Sequence, residues 1–251
     1  MQRLSGKVAI VTGGANGIGR AFAIGLAREG TRVAVADIAD DAARQVASEI
    51  EASGGEALAV RVDVGSVEST EEMARRTLDL FGRIDILVTC AAIYAKLERK
   101  PFLEISPEEW DLIMRVNLTG VQLACRAVLP AMKEQGSGAI VNMGSVNTFL
   151  APEGRAHYSA AKAALENLTK TLAREMGPFG IRANALAPGL VRSSEQTVVP
   201  EERYERIAQE RALRREMTPD DLIGPLVFLC SDDAAMVTGH VLIVDGGQIY
   251  K

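Results

Sequence analysis

The chain has 251 residues and a net charge of −5 with both signs interspersed, and its apolar content is mostly aliphatic, aromatics making up only 4%. That length fits one large α/β domain, and such a composition suits a parallel sheet buried under helices on both faces. There is no basic patch for nucleic acid, no polybasic anchor and no run of about 20 apolar residues, so neither nucleic-acid binding nor a membrane span is expected.

In chain order, apolar strand-like runs alternate with amphipathic segments. Lys7–Thr12 reads as a strand and Gly17–Glu29 as a helix. Arg32–Asp37, Ala57–Val62 and Ile84–Thr89 are the next strands, separated by helices at Asp40–Ser53 and Val67–Phe81. A long helical stretch near Pro107–Lys133 leads to a strand at Ala139–Met143 and a helix at Tyr158–Met176. Ile181–Leu186 is a strand, Pro219–Leu229 a helix and Val241–Val244 a last short strand. This alternation predicts a single-domain, doubly wound parallel sheet with right-handed crossovers. Leu190–Met217 breaks the rhythm. It holds no strand, is rich in Arg and Glu, and places Tyr204, Ile207, Ala208 and Ala212 on one helical face. It reads either as a solvated surface helix or as a lid, because it follows the carboxyl end of a strand, where ligands bind in such sheets.

Residues Met1 to Gly6 run straight into the first strand without the apolar stretch of a signal peptide. The cysteines, Cys90, Cys125 and Cys230, are odd in number and widely spaced, as expected of reduced thiols in a cytoplasmic protein. The two histidines, His157 and His240, have no metal-ligand spacing, and no metal is expected.

Thr12-Gly13-Gly14-Ala15-Asn16-Gly17-Ile18-Gly19 falls between the first strand and the first helix. Glycines there let the chain turn tightly and bring backbone N–H groups close to a pyrophosphate, and the helix N-terminus adds its positive dipole end. Read alone, the stretch is a phosphate cradle or an ordinary tight turn. Asp37 closes the second strand, 18 residues after Gly19. A carboxylate there accepts both hydroxyls of an adenosine ribose and repels a 2′-phosphate. Gly14, Ala15, Asn16 and Ile38 offer no cation to neutralise such a phosphate, so NAD is expected over NADP. The plainer alternative is that Asp37 caps a turn in a stretch already acidic through Asp40 and Asp41.

Tyr158 and Lys162 stand four apart at the start of a helix, on one face. An unperturbed phenol, with a pKa of about 10, is useless as a base at neutral pH, and a neighbouring ammonium lowers that value. The pair therefore fits general acid/base chemistry, or else is a surface pair on an amphipathic helix. Ser145, 13 residues before Tyr158, could hold a substrate oxygen, though such a Ser is also a common turn former. Asn117 sits where Asn is a poor helix former, either for function or because it is exposed.

Taken together, in order and spacing, Gly13-x-x-x-Gly17-x-Gly19, Asp37, Asp63, Asn117, Ser145, Tyr158-x-x-x-Lys162, Pro188-Gly189 and Val244-Asp245-Gly246-Gly247 resemble the short-chain dehydrogenase/reductase pattern over nearly the whole chain. The resemblance implies a Rossmann-like sheet of seven parallel strands. It implies an Asn117–Ser145–Tyr158–Lys162 tetrad in which Lys162 also binds the nicotinamide ribose and Asn117 holds a proton-relay water. It implies that the turn from Gly13 through Asn16, Gly17 and Ile18 to Gly19 binds the cofactor. Asp63 and Val64 then edge the adenine, and backbone at Cys90 and Ala91 lies near the ribose. Val191 and Ser193, after Pro188-Gly189, touch the carboxamide, with Ser193 where Thr is usual. A homotetramer is also implied.

One segment departs from the pattern. Thr89-Cys90-Ala91-Ala92 stands where the family shows Asn-Asn-Ala-Gly. Thr and Cys are not expected to reproduce amide hydrogen bonds to neighbouring strands, and Ala92 narrows the backbone angles open to Gly. The reading is an NAD-dependent dehydrogenase of a secondary alcohol, or reductase of the ketone. The alternatives are a 3-oxoacyl-thioester reductase and a non-catalytic NAD-binding sensor or scaffold. Arg211, Arg214 and Arg215 read as solvated, with a phosphopantetheine carrier as the other possibility. By position, Ile93, Tyr94, Asn147, Phe149, His157 and Leu190 are candidates for the substrate wall.

Overall fold

A computed structural model describes residues 2–94, 97–193 and 199–250. Seven strands run parallel: β1 (Val8–Thr12), β2 (Arg32–Asp37), β3 (Ala57–Arg61), β4 (Ile86–Thr89), β5 (Gly138–Met143), β6 (Ile181–Pro188) and β7 (Val241–Val244). Their order is β3-β2-β1-β4-β5-β6-β7. The interior strand β1 pairs in register with both neighbours, Val11 lying opposite Val35 of β2 and Val88 of β4.

The helices are α1 (Gly17–Arg28), α2 (Asp40–Ala52), α3 (Val67–Phe81), α4 (Pro107–Met114), α5 (Gly120–Gln135), α6 (Asn147–Leu150), α7 (Ala156–Met176), α8 (Glu201–Glu210) and α9 (Ile223–Cys230). Successive strand side chains point to opposite faces, so the sheet divides two apolar layers. Val11, Val33 and Val35 meet Phe22 and Leu26 of α1, Ile50 of α2 and Leu226 of α9. Ile10, Ala34 and Leu87 meet Met73 of α3, Val128 of α5 and Leu165 of α7. Both faces of the central strands are thus apolar, as their sequence requires.

The helix expected at Pro107–Lys133 is not continuous. Ser106 caps its start by accepting from the Glu109 N–H, with Pro107 in the first turn. Arg115–Thr119 then forms a wider π turn before α5 begins. Such a turn inserts one residue into the helical ladder and re-aims the side chains that follow. Pro107–Gln135 has the length and apolarity of a membrane-crossing helix. Here, Val121, Ala124, Cys125, Val128 and Met132 go into the core against the sheet instead. Pro219–Leu222 likewise forms a 3₁₀ turn ahead of α9, and the short α6 was not expected.

The chain order reverses between β1 and β4, and a crevice opens there at the carboxyl ends of the strands. Leu190 and Val191, which follow β6, line the cavity. The base of the Leu190–Met217 segment is closed by a bridge between Val191 and Met217, and the Arg192 N–H donates to the Met217 carbonyl at 2.8 Å. Residues 194–198 of the expected lid lie outside the described residues.

Candidate active site

The turn after β1 folds as it does because glycine alone fits two of its positions. Gly13 has φ +66°, and a Cβ there would meet the Ala91 backbone at 2.7 Å. A Cβ on Gly19 would lie 2.0 Å from the Gly13 carbonyl oxygen. The first turn of α1 therefore packs directly on the loop, with its N-terminus facing a cavity of about 890 Å³.

That cavity gathers most of the residues singled out in the sequence. Gly13, Asn16, Ile18, Gly19, Asp37, Asp63, Val64, Cys90 and Ala91 line one part of it, and Ser145, Tyr158, Lys162, Pro188, Gly189, Val191 and Ser193 the rest. Gly17 and Asn117 are not in its wall. Gly17 starts α1 at φ +52°. Asp37 does cap the turn, its carboxylate accepting the Ala15 and Ala39 N–H groups at 3.0 Å each, and it also faces the cavity. Asp63 accepts the Gly65 N–H at 2.8 Å and likewise faces inward.

Asn117 is fully buried, not exposed. The π turn aims its amide at the loop after β4, where the Ile93 N–H donates to Asn117 Oδ1 at 2.8 Å and Asn117 Nδ2 donates to the Ile93 carbonyl at 3.2 Å. The expected weakness of Thr89-Cys90-Ala91-Ala92 does not materialise at Thr89. Its hydroxyl donates to Asn142 Oδ1 of β5 at 2.8 Å, and Asn142 Nδ2 donates to Thr169 at 2.9 Å. The neighbouring strand supplies the amide that Thr89 lacks. Ala92 is also unstrained: the only non-glycine residue with positive φ among the described residues is Ala151.

Tyr158 is 6% exposed and hydrogen-bonded to Ser145, whose hydroxyl also accepts the Asn147 N–H at 3.2 Å. Lys162 is buried; its ammonium lies 5.7 Å from the centre of the Tyr158 ring and donates to the Met143 carbonyl at 2.6 Å. Burial lowers the Lys162 pKa to about 8. Burial also pushes the Tyr158 phenol well above its ordinary value, while the Ser145 hydrogen bond and the nearby Arg155 guanidinium pull the other way. The sequence led us to expect Lys162 to lower the phenol. In the fold, desolvation outweighs every neighbour, and the ammonium is turned to Met143.

Of the candidate wall residues, Ile93, Tyr94, Asn147 and Leu190 line the cavity; Phe149 and His157 do not. His157 turns to α4, its Nε2 lying 3.3 Å from Glu109 Oε1. On α8, Tyr204, Ile207 and Ala208 share a face and are buried, but Ala212 is exposed because the helix stops at Glu210. Tyr204 and Ile207 face the cavity. Arg211 is buried, not solvated, donating to the Leu190 carbonyl at 2.6 Å and the Arg215 carbonyl at 3.0 Å. Arg215 pairs with Asp221 at 2.6 Å. Sequence reasoning missed Arg203, which lines the cavity from a helix that looks solvated by composition, and Arg155, which follows Gly154 in a loop with no pattern to mark it. Among the described residues no cluster of potential metal ligands occurs.

Residues 13–248 match a family model described as enoyl-(acyl carrier protein) reductase. An uncharacterized oxidoreductase of Mycobacterium tuberculosis is 44% identical over 98% of both chains. A 3-oxoacyl-[acyl-carrier-protein] reductase of Synechocystis is 39% identical over 99% of both. The crystal structure of a dehydrogenase/reductase from Sinorhizobium meliloti superposes with a TM-score of 0.90 at 36% identity, covering 99% of this chain and 97% of that one. Sequence, sheet order and the contents of the crevice agree, and the chain belongs to the short-chain dehydrogenase/reductase family of oxidoreductases.

Proposed function

We propose that this oxidoreductase moves a hydride between NAD(H) and a secondary alcohol or its ketone, with Tyr158 as general acid/base. The observation that carries the reading is that Tyr158, Ser145 and Lys162 share one cavity with the glycine turn and Asp37. The cradle fits a dinucleotide: the turn leaves no room for a Cβ at Gly13 or Gly19, and the α1 N-terminus faces the cavity. The chain neighbours of Asp37, Ile38 and Ala39, also in the cavity wall, bring no cation for a 2′-phosphate, which supports NAD.

When bound, the nicotinamide would take or give the hydride. Ser145 holds the substrate oxygen by its hydroxyl without titrating. Tyr158 accepts the hydroxyl proton in alcohol oxidation and donates it in ketone reduction. A phenol is protonated at neutral pH and burial only strengthens its hold on the proton, so Tyr158 stands ready as the acid, and alcohol oxidation gains rate as pH rises. Lys162 keeps its charge below about pH 8 and presents it beneath the ring. Asn117 fixes the Ile93 loop against this site.

The test is turnover and NAD binding measured side by side on Tyr158→Phe. We expect turnover to fall by at least ~10²-fold, the lower end for a positioned acid/base, with NAD affinity within several-fold of wild type. Near-normal turnover would remove Tyr158 from the mechanism. The thioester-reductase reading is supported by the Synechocystis relative. It is weakened by Asp37 and by Arg211 and Arg215, which are engaged within the chain. The sensor reading is weakened by the intact Ser145, Tyr158 and Lys162. The edge strand β7 is apolar yet only half-buried, which supports assembly into a homotetramer, and light scattering at micromolar concentration tests that.

A further inference from the structure

Two arginines, Arg155 and Arg203, act on Tyr94, and a third, Arg99, acts on both of them. Arg203 on α8 lines the cavity. Arg155, immediately before α7, is 3% exposed, and its guanidinium lies 5.1 Å from the centre of the Tyr94 ring. Tyr94 in turn packs on Tyr158, with ring centres 4.9 Å apart.

Among the described residues none of the three forms an ion pair, and Arg155 Nη1 and Arg203 Nε are buried without a hydrogen-bond partner. Burial, and then mutual repulsion, pull both guanidinium groups below their ordinary range, with only the Tyr94 and Tyr158 phenols acting in the opposite sense. Other arginines near α8 do find partners, although Arg211 also leaves its Nε buried without one. Arg192 reaches Glu201 and Glu216, Arg215 reaches Asp221, and Arg211 spends its terminal nitrogens on carbonyls. Arg155 is buried, Arg203 half-buried and Arg99 exposed; a buried guanidinium left with a bare nitrogen beside other cations is unfavourable unless an anion joins it. A guanidinium fork matches the oxygens of a carboxylate or a phosphate.

We infer that the part of the pocket beside Tyr94 is an anion subsite in which Arg203 presents its guanidinium from the cavity wall while Arg155, outside that wall and packed on the Tyr94 ring, adds its charge from behind, and that the substrate is a secondary alcohol or ketone carrying a carboxylate or phosphate on an arm that reaches Arg203. This rests on the reading that Tyr158 marks the reacting carbon. The shared chemistry of the arm is an oxyanion held by guanidinium groups; its source is decided by experiment.

The test uses the full chain with NAD. Rates are measured for short secondary hydroxy acids of increasing length, each beside its methyl ester, and for hydroxyalkyl phosphates beside the matching neutral diols. Wild type should favour the anionic member by about tenfold or more in kcat/KM, as charge-assisted hydrogen bonds allow. That ratio should collapse in both Arg203→Met and Arg155→Met, whose folding is checked by thermal unfolding, and be partly kept in Arg203→Lys. Preference for the acids assigns a carboxylate, and preference for the phosphates a phosphate. A ratio near one in wild type, or one unchanged in both variants, overturns the subsite while leaving alcohol oxidation standing. Should no compound in the panel turn over, the NAD complex is titrated calorimetrically with butyrate, succinate, benzoate and methyl phosphate. Saturable binding that both variants lose supports the subsite even as the Tyr158 reading fails; no binding overturns the subsite.

Discussion

Asn117 gives both ends of its side-chain amide to the backbone of one residue, Ile93, across 24 positions of sequence. The π turn at Arg115–Thr119 aims the amide there, and Ile93 lies in the cavity wall. Removing the amide leaves a partly buried N–H and C=O without partners. We expect Asn117→Ala to lose about 1–3 kcal/mol of stability and to lower turnover through displacement of the Ile93 loop. Thermal unfolding read with turnover checks this; unchanged stability would show the clamp to be dispensable.

Cofactor choice should follow Asp37. Its carboxylate faces the cavity at the end of β2 and would oppose a 2′-phosphate. Wild type should favour NAD in kcat/KM, and Asp37→Ala combined with Ile38→Arg should relax or invert the preference. Equal wild-type efficiency with NAD and NADP would sink the assignment. Because Asp37 also holds the Ala15 and Ala39 N–H groups, the variant should be somewhat less stable as well.

Lys162 couples chemistry to stability. Burial lowers its pKa to about 8 from the ordinary 10.5. Between those values the unfolded chain binds more protons than the folded one, so this group's contribution makes stability rise with pH across that window. Below pH 8 both states are protonated and the folded protein carries the full cost of the buried ammonium. Compared with Lys162→Met, wild type should therefore gain on the variant by roughly 1–3 kcal/mol between pH 8 and pH 10. Denaturant midpoints at several pH values measure it, and parallel curves would contradict the shift. Lys162→Met should also lose turnover.

The segment from Leu190 to Met217 has a pinned base and an α8 face over the cavity. Arg192 ties it to Glu201, at 2.5 Å, and to Glu216, and lies 4.1 Å from the centre of the Tyr204 ring. As a lid, α8 should exchange amide hydrogens more slowly once NAD and an alcohol are bound. Identical protection with and without ligands would favour a static surface helix. Breaking the anchor with Arg192→Ala should speed exchange in α8 and raise KM.

The sequence by itself determined the alternation of strands and helices, because apolar runs of strand length and amphipathic runs of helical period are local signals. It also pointed to most of the residues that line the cavity. Tyr158 and Lys162 share a helix, and the glycine turn has a spacing that few other structures need. Tertiary structure decided what depends on surroundings. The π turn at Asn117 is invisible to periodicity, since one inserted residue only blurs a helical pattern. Thr89 is rescued by Asn142, 53 residues away on the next strand. Tyr158 is raised, not lowered, because a four-residue spacing says nothing of how deeply a phenol is buried. Arg155 and Arg203 read as surface charges in a linear chain. Only the fold sets Arg203 in the cavity wall and stacks buried Arg155 on the Tyr94 ring, each with one bare buried nitrogen.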